Sequence, residues 1–294
     1  MHIVASVPLG TPPELRQLAE AVLTAVARSR FVSLSSVMAF GGPSGLTLDM
    51  VDAWCRSGLL HRSSVRTDPV RTEEIDYLAL TTVGARALYG ATGKRFAGIS
   101  AARLRRSSQK RAHDVLTGEV ALAAIALARE GLIELVGVET DDRKLVSVVH
   151  LAEIGSDPER IVLQPDAMIV TEGPIGKEAL LVEVDRGTTA PKRMGVRYRG
   201  YLGWQREGGP FKDFGIKALR VVTLVPTEAR LEHLHRAALE ATNSQGSRFL
   251  VFALQDIATV CTAEQLLAPV AWTLGGEPSH RVRLLTPTSA ASTN

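Results

Sequence analysis

The sequence has little that suits a secreted or membrane protein. Of its 294 residues only two are cysteines, Cys55 and Cys261, which lie far apart without a CxxC or Cys/His spacing. This pattern favours two free thiols in a reducing cytoplasm over a disulfide bond. No apolar run reaches the roughly 18 residues that span a bilayer. The N-terminus lacks a charged segment followed by a long apolar one. We therefore expect a cytoplasmic protein that does not associate with a membrane.

Acidic residues are missing from one stretch, residues 91–112, which holds seven Lys and Arg. The whole front part, residues 1–112, carries 15 basic against 8 acidic residues, whereas residues 113–294 carry 19 against 23. A basic N-terminal part and a C-terminal part rich in carboxylates indicate polyanion binding combined with metal-dependent chemistry. We interpret residues 91–112 as a basic linker between two domains that contacts DNA phosphates.

The residues before this linker, 14–90, have the pattern of a winged helix-turn-helix domain. The spacing of apolar residues predicts helices at 14–28, 33–40 and 46–60, with Ser33 as an N-cap. Two short strands follow around a charged loop at 64–74, which would be the wing. We expect DNA contacts here, but the acids Asp49 and Asp52 on the third helix leave a protein-binding role open.

The residues predicted to contact DNA are basic and lie on the third helix, the wing or the linker: Arg56, Arg66, Arg95, Arg103, Arg105, Arg106, Lys110 and Arg111. If five basic residues of the linker touch phosphates, log K falls with log salt at a slope of roughly −4 to −5.

From residue 113 the pattern changes to a strong helix, three or four strands, a helix, a strand, a helix and a last strand. This order predicts an α/β domain with a central mixed sheet over residues 113–285. The segment 160–170 is predicted as one strand and the segment 178–187 as another. The tail 286–294 is expected to be disordered.

Carboxylates occur within or beside these two apolar strands. Asp166 follows Pro165, and Glu183 and Asp185 share one face because strand side chains alternate. An unpaired carboxylate in a sheet costs several kcal/mol to bury. If the strands pair, Asp166 and Glu183 converge on one hard cation, Mg²⁺ or Mn²⁺. Lys192 or Arg186 would then stabilise the charge of a scissile phosphate.

This arrangement resembles the PD-(D/E)XK nuclease fold. Pro165-Asp166 stands for the "PD" motif, and Glu183-Val184-Asp185 occupies the place of "ExK". The resemblance implies metal ligation by Asp166 and Glu183, with the helix-borne Glu119 as an additional acid. Asp185 departs from the pattern by replacing the lysine, and Lys192 is the candidate for a lysine that has moved to the next helix.

A longer resemblance rests on "HDVLTGEVALAA" (113–124), "PDAMIV" (165–170), "LLVEVDRGTT" (180–189) and "YRGY" (198–201). These motifs resemble the replication-relaxation family of plasmids and integrative elements, over about residues 14–255. That family is similar to MobC-type mobilisation relaxases, and an Asp after the Glu is its usual pattern. The resemblance implies a DNA-binding protein with conjugation or replication machinery as further partners; a homodimer is an open alternative.

Two functions follow as hypotheses. The first is a Mg²⁺-dependent, relaxase-like endonuclease that nicks a plasmid or element origin. The alternative is a catalytically inactive, sequence-specific DNA-binding initiator or regulator, which the missing lysine favours. A third interpretation is an assembly protein whose winged helix binds a protein partner.

Each candidate residue also has a structural interpretation. Asp166 suits a turn, Asp185 and Arg186 suit a salt bridge, and Glu119 suits a solvent-facing helix position. Tyr198 and Tyr201 raise the alternative of a tyrosine nucleophile, although packing against the sheet is the default. His113 is interpreted as a helix-start residue.

Overall fold

Two units make up the chain, residues 1–122 and residues 123–294. The structure is a computed structural model that describes residues 13–66, 74–140, 145–151, 159–243, 249–254, 266–268, 271–274 and 281–287. Cys261, the centre of the predicted wing and most of the predicted tail lie outside the described residues. Cys55 is a free thiol. None of the described helices is long and apolar enough to cross a lipid bilayer.

The first unit combines helices with a small sheet. Its elements are α1 (Pro13–Ser29), β1 (Val32–Ser33), α2 (Leu34–Gly41), α3 (Leu48–Arg56), β2 (Leu60–Arg66), β3 (Glu74–Leu80), α4 (Thr82–Thr92), α5 (Ala101–Leu104) and the start of α6 (Ser108–Arg129). The strands are antiparallel in the order β1-β3-β2. Three helices thus precede a β2–β3 hairpin, as the sequence predicts.

Hydroxyl side chains cap the N-termini of helices α2 and α4 in this unit. Ser33 accepts a hydrogen bond from the Ser36 N–H at 3.1 Å, which confirms its predicted N-cap role. Thr81 does the same for α4, from the Gly84 N–H at 3.0 Å. Each cap satisfies a backbone donor that has no partner within its own helix.

The predicted linker is more ordered than its composition indicates. It contains α5, and α6 begins at Ser108 rather than at residue 113. Ala112 is fully buried in a cluster with Phe31 and Tyr77, whose rings lie 5.6 Å apart. The last part of the stretch is therefore a helix that contributes Ala112 to the core, with Lys110 exposed and Arg111 half-buried.

The second unit is built on one mixed sheet. Its further elements are β4 (Leu135–Glu139), β5 (Ser147–Leu151), β6 (Glu159–Leu163), β7 (Ala167–Gly173), β8 (Gly176–Val184), α7 (Pro191–Arg206), α8 (Gly209–Phe214), β9 (Ala218–Val225), α9 (Glu228–Thr242), β10 (Leu250–Leu254), β11 (Ala271–Thr273) and β12 (Arg281–Val282). The sheet order is β12-β11-β10-β9-β8-β7-β4. Strands β8, β9 and β10 are parallel and the other neighbours are antiparallel, so the predicted mixed sheet is confirmed.

The prediction of a single strand over residues 160–170 is wrong. β6 ends at Leu163 and pairs with β5 in a separate two-stranded sheet, whereas β7 starts at Ala167 in the large sheet. Pro165 lies between them and has no N–H to donate to a ladder, which is a physical reason for the break. Asp166 consequently stands at the start of a strand.

Helix α7 covers one face of the large sheet and forms the centre of the core. Tyr198 and Tyr201 of α7 are fully buried, and the Tyr198 ring meets Phe252 of β10 edge-on at 5.7 Å. The two-stranded β5–β6 sheet packs on α7 as well. Gly200 permits this contact, because a Cβ at that position would lie 2.7 Å from the Ile161 side chain.

Candidate functional site

The β7–β8 pair brings the two predicted carboxylates together. Ala167 pairs with Val182, and the Asp166 N–H donates to the Val182 carbonyl at 2.9 Å. Continuing this antiparallel register by one residue places Asp166 opposite Glu183, on the same face of the sheet. The Asp166 Oδ2 accepts a hydrogen bond from the Val184 N–H at 2.8 Å. Asp166 is half-buried.

Glu183 has both carboxylate oxygens occupied by side chains of α7. The Tyr201 hydroxyl donates to Oε1 at 2.5 Å, and the Arg197 guanidinium donates to Oε2. Positions 197 and 201 are one helical turn apart and so share a face. The Glu183 side chain is only 2% exposed, whereas the Arg197 side chain is 38% exposed. The arginine thus spans from the buried acid to solvent.

Burial raises the pKa of Glu183 to about 7, because the charged form loses its hydration. The positive charge of Arg197 lowers the pKa, and the negative charge of Asp166 raises it. In turn, the carboxylate of Glu183 raises the pKa of Arg197. The two acids therefore lie close enough for their charges to interact, and the arginine is the compensating group.

Asp185 is held by a second arginine. Its Oδ2 accepts hydrogen bonds from Arg230 Nε at 2.6 Å and from the Gly187 N–H at 3.1 Å. Arg230 also donates to the Thr189 carbonyl. Gly187 has a φ of +78°, a left-handed conformation that glycine adopts without strain. Arg230 therefore fixes the loop that joins β8 to α7 against the first turn of α9.

The tyrosine hydroxyls are engaged inside the core. Tyr198 shares a hydrogen bond of 3.0 Å with the Thr223 hydroxyl, and Tyr201 donates to Glu183. Burial is the main cause of a raised pKa at both tyrosines. A buried hydroxyl with a raised pKa is a poor nucleophile and has no route to a DNA phosphate in this arrangement. Their role here is the predicted one of packing against the sheet.

The predicted phosphate-stabilising residues lie next to this centre in sequence. Arg186 follows Asp185 and is half-buried, while Lys192 is the second residue of α7 and is exposed. Sequence reasoning missed Arg197 and Arg230 as partners of the acids. The (i, i+4) spacing from Arg197 to Tyr201 was an available signal. No sequence signal pointed to Arg230, because it lies 45 residues after its partner Asp185 in the chain.

Glu119 is a buried residue of the first unit, so the solvent-facing interpretation is wrong. Its side chain is 1% exposed, and Oε1 accepts a hydrogen bond from the Ser33 N–H at the start of α2. Burial raises its pKa. Neighbouring Gly118 allows this approach, because a Cβ there would lie 1.6 Å from the Phe31 carbonyl oxygen. Metal ligation by Glu119 stays a prediction.

Asp166 and Glu183 do not fit a divalent cation as they are arranged. Asp166 uses one oxygen on the Val184 N–H, and both oxygens of Glu183 are taken by Arg197 and Tyr201. A hard cation requires free carboxylate oxygens. Over the described parts of the chain, no group of three or more His, Cys, Asp and Glu residues is placed to hold a metal ion.

The basic residues of the predicted linker divide into two sets. Arg106 and Arg103 lie 3.1 and 3.7 Å from the carboxylate of Asp114, which follows the acid-free stretch. Arg111 donates to the Leu104 carbonyl at 3.0 Å. Arg105 and Lys110 are exposed. Local acids and carbonyls therefore compensate three of the predicted DNA contacts.

The third helix and the hairpin carry paired charges too. Arg62 of β2 donates to Asp52 of α3 at 2.9 Å and to Asp76 of β3 at 2.6 Å. Arg66 lies 3.5 Å from Glu74. Arg56, at the end of α3, is exposed. The α3 side of the unit thus carries acids and cations in near balance.

These features together describe an α+β protein with a basic first unit and, in the second, an acidic centre neutralised by arginines. The chain belongs to the replication-relaxation family, since the family model of that description matches residues 23–214, about two thirds of the chain. This confirms the family that the sequence motifs indicate. Comparison with curated proteins and with solved structures gave no match. The match ends with α8, so Arg230 lies beyond it while Glu183 and Arg197 lie within it.

Proposed function

We propose that this protein binds DNA during the replication or relaxation of a plasmid or integrative element. Family membership supports a role in that process. The net charge of +7 over residues 1–112 supports DNA as the partner. The order of three helices and a hairpin, with sheet order β1-β3-β2, supports a winged helix-turn-helix as the DNA-binding domain.

The second unit supports a nuclease-like fold. In this unit a three-stranded antiparallel arrangement, a helix and a parallel strand follow each other as β4, β7, β8, α7 and β9, and helix α6 precedes them in the chain. This is the order that the PD-(D/E)XK resemblance implies, with β5 and β6 as an insertion. Under this proposal Asp166 and Glu183 correspond to the acids that the resemblance assigns to the metal site.

The observation that carries the proposal is the bond from Arg197 to Glu183. The acid that would bind a metal ion is instead neutralised by a guanidinium from the same unit, and Asp185 is neutralised likewise by Arg230. An arginine stays charged at any physiological pH, so each guanidinium is available whenever its acid is ionised. We propose that the chain is a sequence-specific initiator or regulator that binds DNA without cutting it.

The test compares binding with cleavage on a supercoiled plasmid that carries the cognate origin. We expect a specific footprint at the origin and no nicking when Mg²⁺ or Mn²⁺ is added. Nicking that requires the metal, and that is lost in Asp166→Ala and Glu183→Ala but kept in Glu207→Ala, would overturn the inactive assignment. Glu207 is an exposed acid at the end of α7 and serves as the matched control.

Metal-dependent nicking is the second candidate, and one observation favours it. Asp166 stands opposite Glu183 and is only half-buried, so one acid of the pair is open to solvent. Under this candidate Lys192, Arg186 and Asp185 belong to the reacting site, as the sequence predicts. The nicking assay separates the two candidates, because the acid variants abolish cleavage only if the second is correct. A homodimer stays a prediction.

A further inference from the structure

Helix α4 presents an exposed face that no part of the acidic centre uses. Gly84, Ala85, Ala87 and Leu88 of α4 are buried against the first unit. On the opposite side, Arg86 and Tyr89 are exposed, and the Tyr89 side chain has an exposed fraction of 48%. Tyr89 is therefore one of the large apolar side chains that this unit exposes to solvent.

The chain returns along this face after the helix ends. Gly93, with a φ of +68°, terminates α4, and the exposed Lys94 and Arg95 follow it. The guanidinium carbon of Arg95 lies 6.0 Å from the centroid of the Tyr89 ring. Arg86, Tyr89, Lys94 and Arg95 are therefore one cluster, here called the α4 surface.

No acidic residue balances the α4 surface from its own segment. The sequence from Tyr77 to His113 contains eight Lys and Arg and no Asp or Glu. Within the described residues, Arg86, Lys94 and Arg95 take part in no ion pair, and the guanidinium of Arg86 donates a hydrogen bond to the Thr82 carbonyl at 3.4 Å. In this they differ from Arg62, Arg103 and Arg106, which are all paired with carboxylates.

Unpaired nucleotides fit such a surface by charge and by shape. A base stacks on an exposed aromatic ring, and cations on either side neutralise the adjoining phosphates. A duplex offers phosphates but no free base face. Its phosphates would contact the cations, but no base would stack on Tyr89. The combination of an exposed ring with cations that have no carboxylate partner thus favours single strands over duplex.

We infer that the α4 surface binds single-stranded DNA, with Tyr89 stacking on a base and Arg86, Lys94 and Arg95 holding the flanking phosphates. The inference rests on the proposed function as a DNA-binding protein and deepens it. The unpaired strand would come from an origin that is opened during replication or relaxation. Duplex contacts would then fall to other basic residues, such as Arg56, Arg105 and Lys110.

The test measures the affinity of the full chain for a short oligothymidylate and for a duplex by fluorescence anisotropy. In Tyr89→Ala we expect the single-strand affinity to fall by about 5- to 150-fold, the effect of one lost stacking interaction. The duplex affinity should change less than about twofold. Tyr89→Phe keeps the ring and should keep the single-strand affinity.

The matched control is Phe211→Ala, which removes an aromatic residue of 61% exposure from α8 and should leave both affinities unchanged. A single-strand affinity of Tyr89→Ala equal to wild type, with duplex binding intact, would overturn the inference alone. An equal loss on both DNA forms would overturn it also. Absence of binding to either form by the wild-type protein would overturn the proposed function together with the inference.

Discussion

Glu183 and Arg197 form an ion pair that joins a buried strand to the protein surface. The acid is 2% exposed and the arginine 38%. Desolvation of the acid is compensated only while the guanidinium is in place, because Tyr201 supplies a hydrogen bond but no charge. The stability of the second unit therefore depends on this arginine more than on the other cations of α7.

Replacing Arg197 by Ala should lower the free energy of unfolding by about 2 kcal/mol. Breaking a buried pair costs about 3–5 kcal/mol, and the exposure of Arg197 reduces this because water replaces part of the interaction. Urea unfolding measures the change. Arg193→Ala, which removes an exposed charge from the same helix, is the control and should stay within about 0.5 kcal/mol. If adding Glu183→Gln does not recover most of the loss, the pairing is not its cause.

The protonation of Glu183 should make stability depend on pH. Burial raises its pKa from 4.5 to about 7, so the folded state holds a proton that the unfolded chain releases. The contribution of this group is complete below about pH 4.5 and is lost as the pH rises to about 7. The stability of wild type minus that of Glu183→Gln should thus fall by up to about 1.4 kcal/mol per pH unit in that window.

Urea unfolding of both proteins at a series of pH values gives this difference directly, and it should be flat above about pH 7. A difference that increases with pH would mean that Arg197 keeps the acid ionised throughout.

At the residue scale the sequence predicts the acids but not their partners. Asp166 and Glu183 were identifiable because a carboxylate in an apolar strand is unusual and the side-chain alternation has a fixed period. Their arginine partners depend on how α7 and α9 are rotated over the sheet. Helix α7 and the loop before it carry arginines at positions 186, 193, 197, 199 and 206, so the local pattern could not select Arg197.

Helix α6 is the element whose position is most tightly determined by one residue. Gly118 faces the backbone at Phe31, where a Cβ would lie 1.6 Å from the carbonyl oxygen. The contact is backbone to backbone and has no flexible side chain that could yield. The same approach brings Glu119 to the Ser33 N–H at the start of α2.

Gly118→Ala should therefore destabilise the protein by about 3 kcal/mol, the upper range for overpacking, although alanine favours helix formation by itself. Thermal unfolding measures the effect. Gly137→Ala is the matched control, since a Cβ at Gly137 in β4 meets nothing within 4 Å. A Gly118→Ala protein as stable as the control would show that α6 moves away without cost.

Elements were predictable where the signal is local. The N-cap Ser33 was predicted from the sequence because a hydroxyl before an apolar-periodic segment acts on its own first turn. The segment around Pro165 was misassigned because apolar residues continue on both sides of it. The segment before Pro165 pairs as β6 with β5, and the segment after it pairs as β7 with β8. These pairings involve residues elsewhere in the chain, so the sequence of one strand does not reveal them.

At the scale of the whole molecule, the basic excess of residues 1–112 should strengthen DNA binding less than the sequence indicates. Arg103 and Arg106 belong to the predicted DNA-binding set, but both lie beside Asp114. Fewer cations are then available to phosphates, and the salt slope of duplex binding should be shallower than roughly −4 to −5.

Asp114→Asn should release Arg103 and Arg106. We expect the slope of log K against log salt to become more negative by about 1 to 2, roughly one unit for each further phosphate that a released arginine neutralises, with tighter binding at low salt. Duplex titrations at several salt concentrations measure this. Glu20→Gln changes the net charge equally at an exposed residue of α1 and is the control; equal slopes for the two variants would contradict the release.

Helix α6 also bears on how such genes can recombine. Its residues from Ser108 to Leu122 belong to the first unit, and those from Ala123 to Arg129 belong to the second. Recombination between two related genes can place the crossover inside α6. The helix would then join an N-terminal part from one parent to a C-terminal part from the other. If the crossover falls before Ala112, that residue would also have to pack against the Phe31 and Tyr77 of the other parent. Descendants with both halves inherited together should therefore outnumber mosaics.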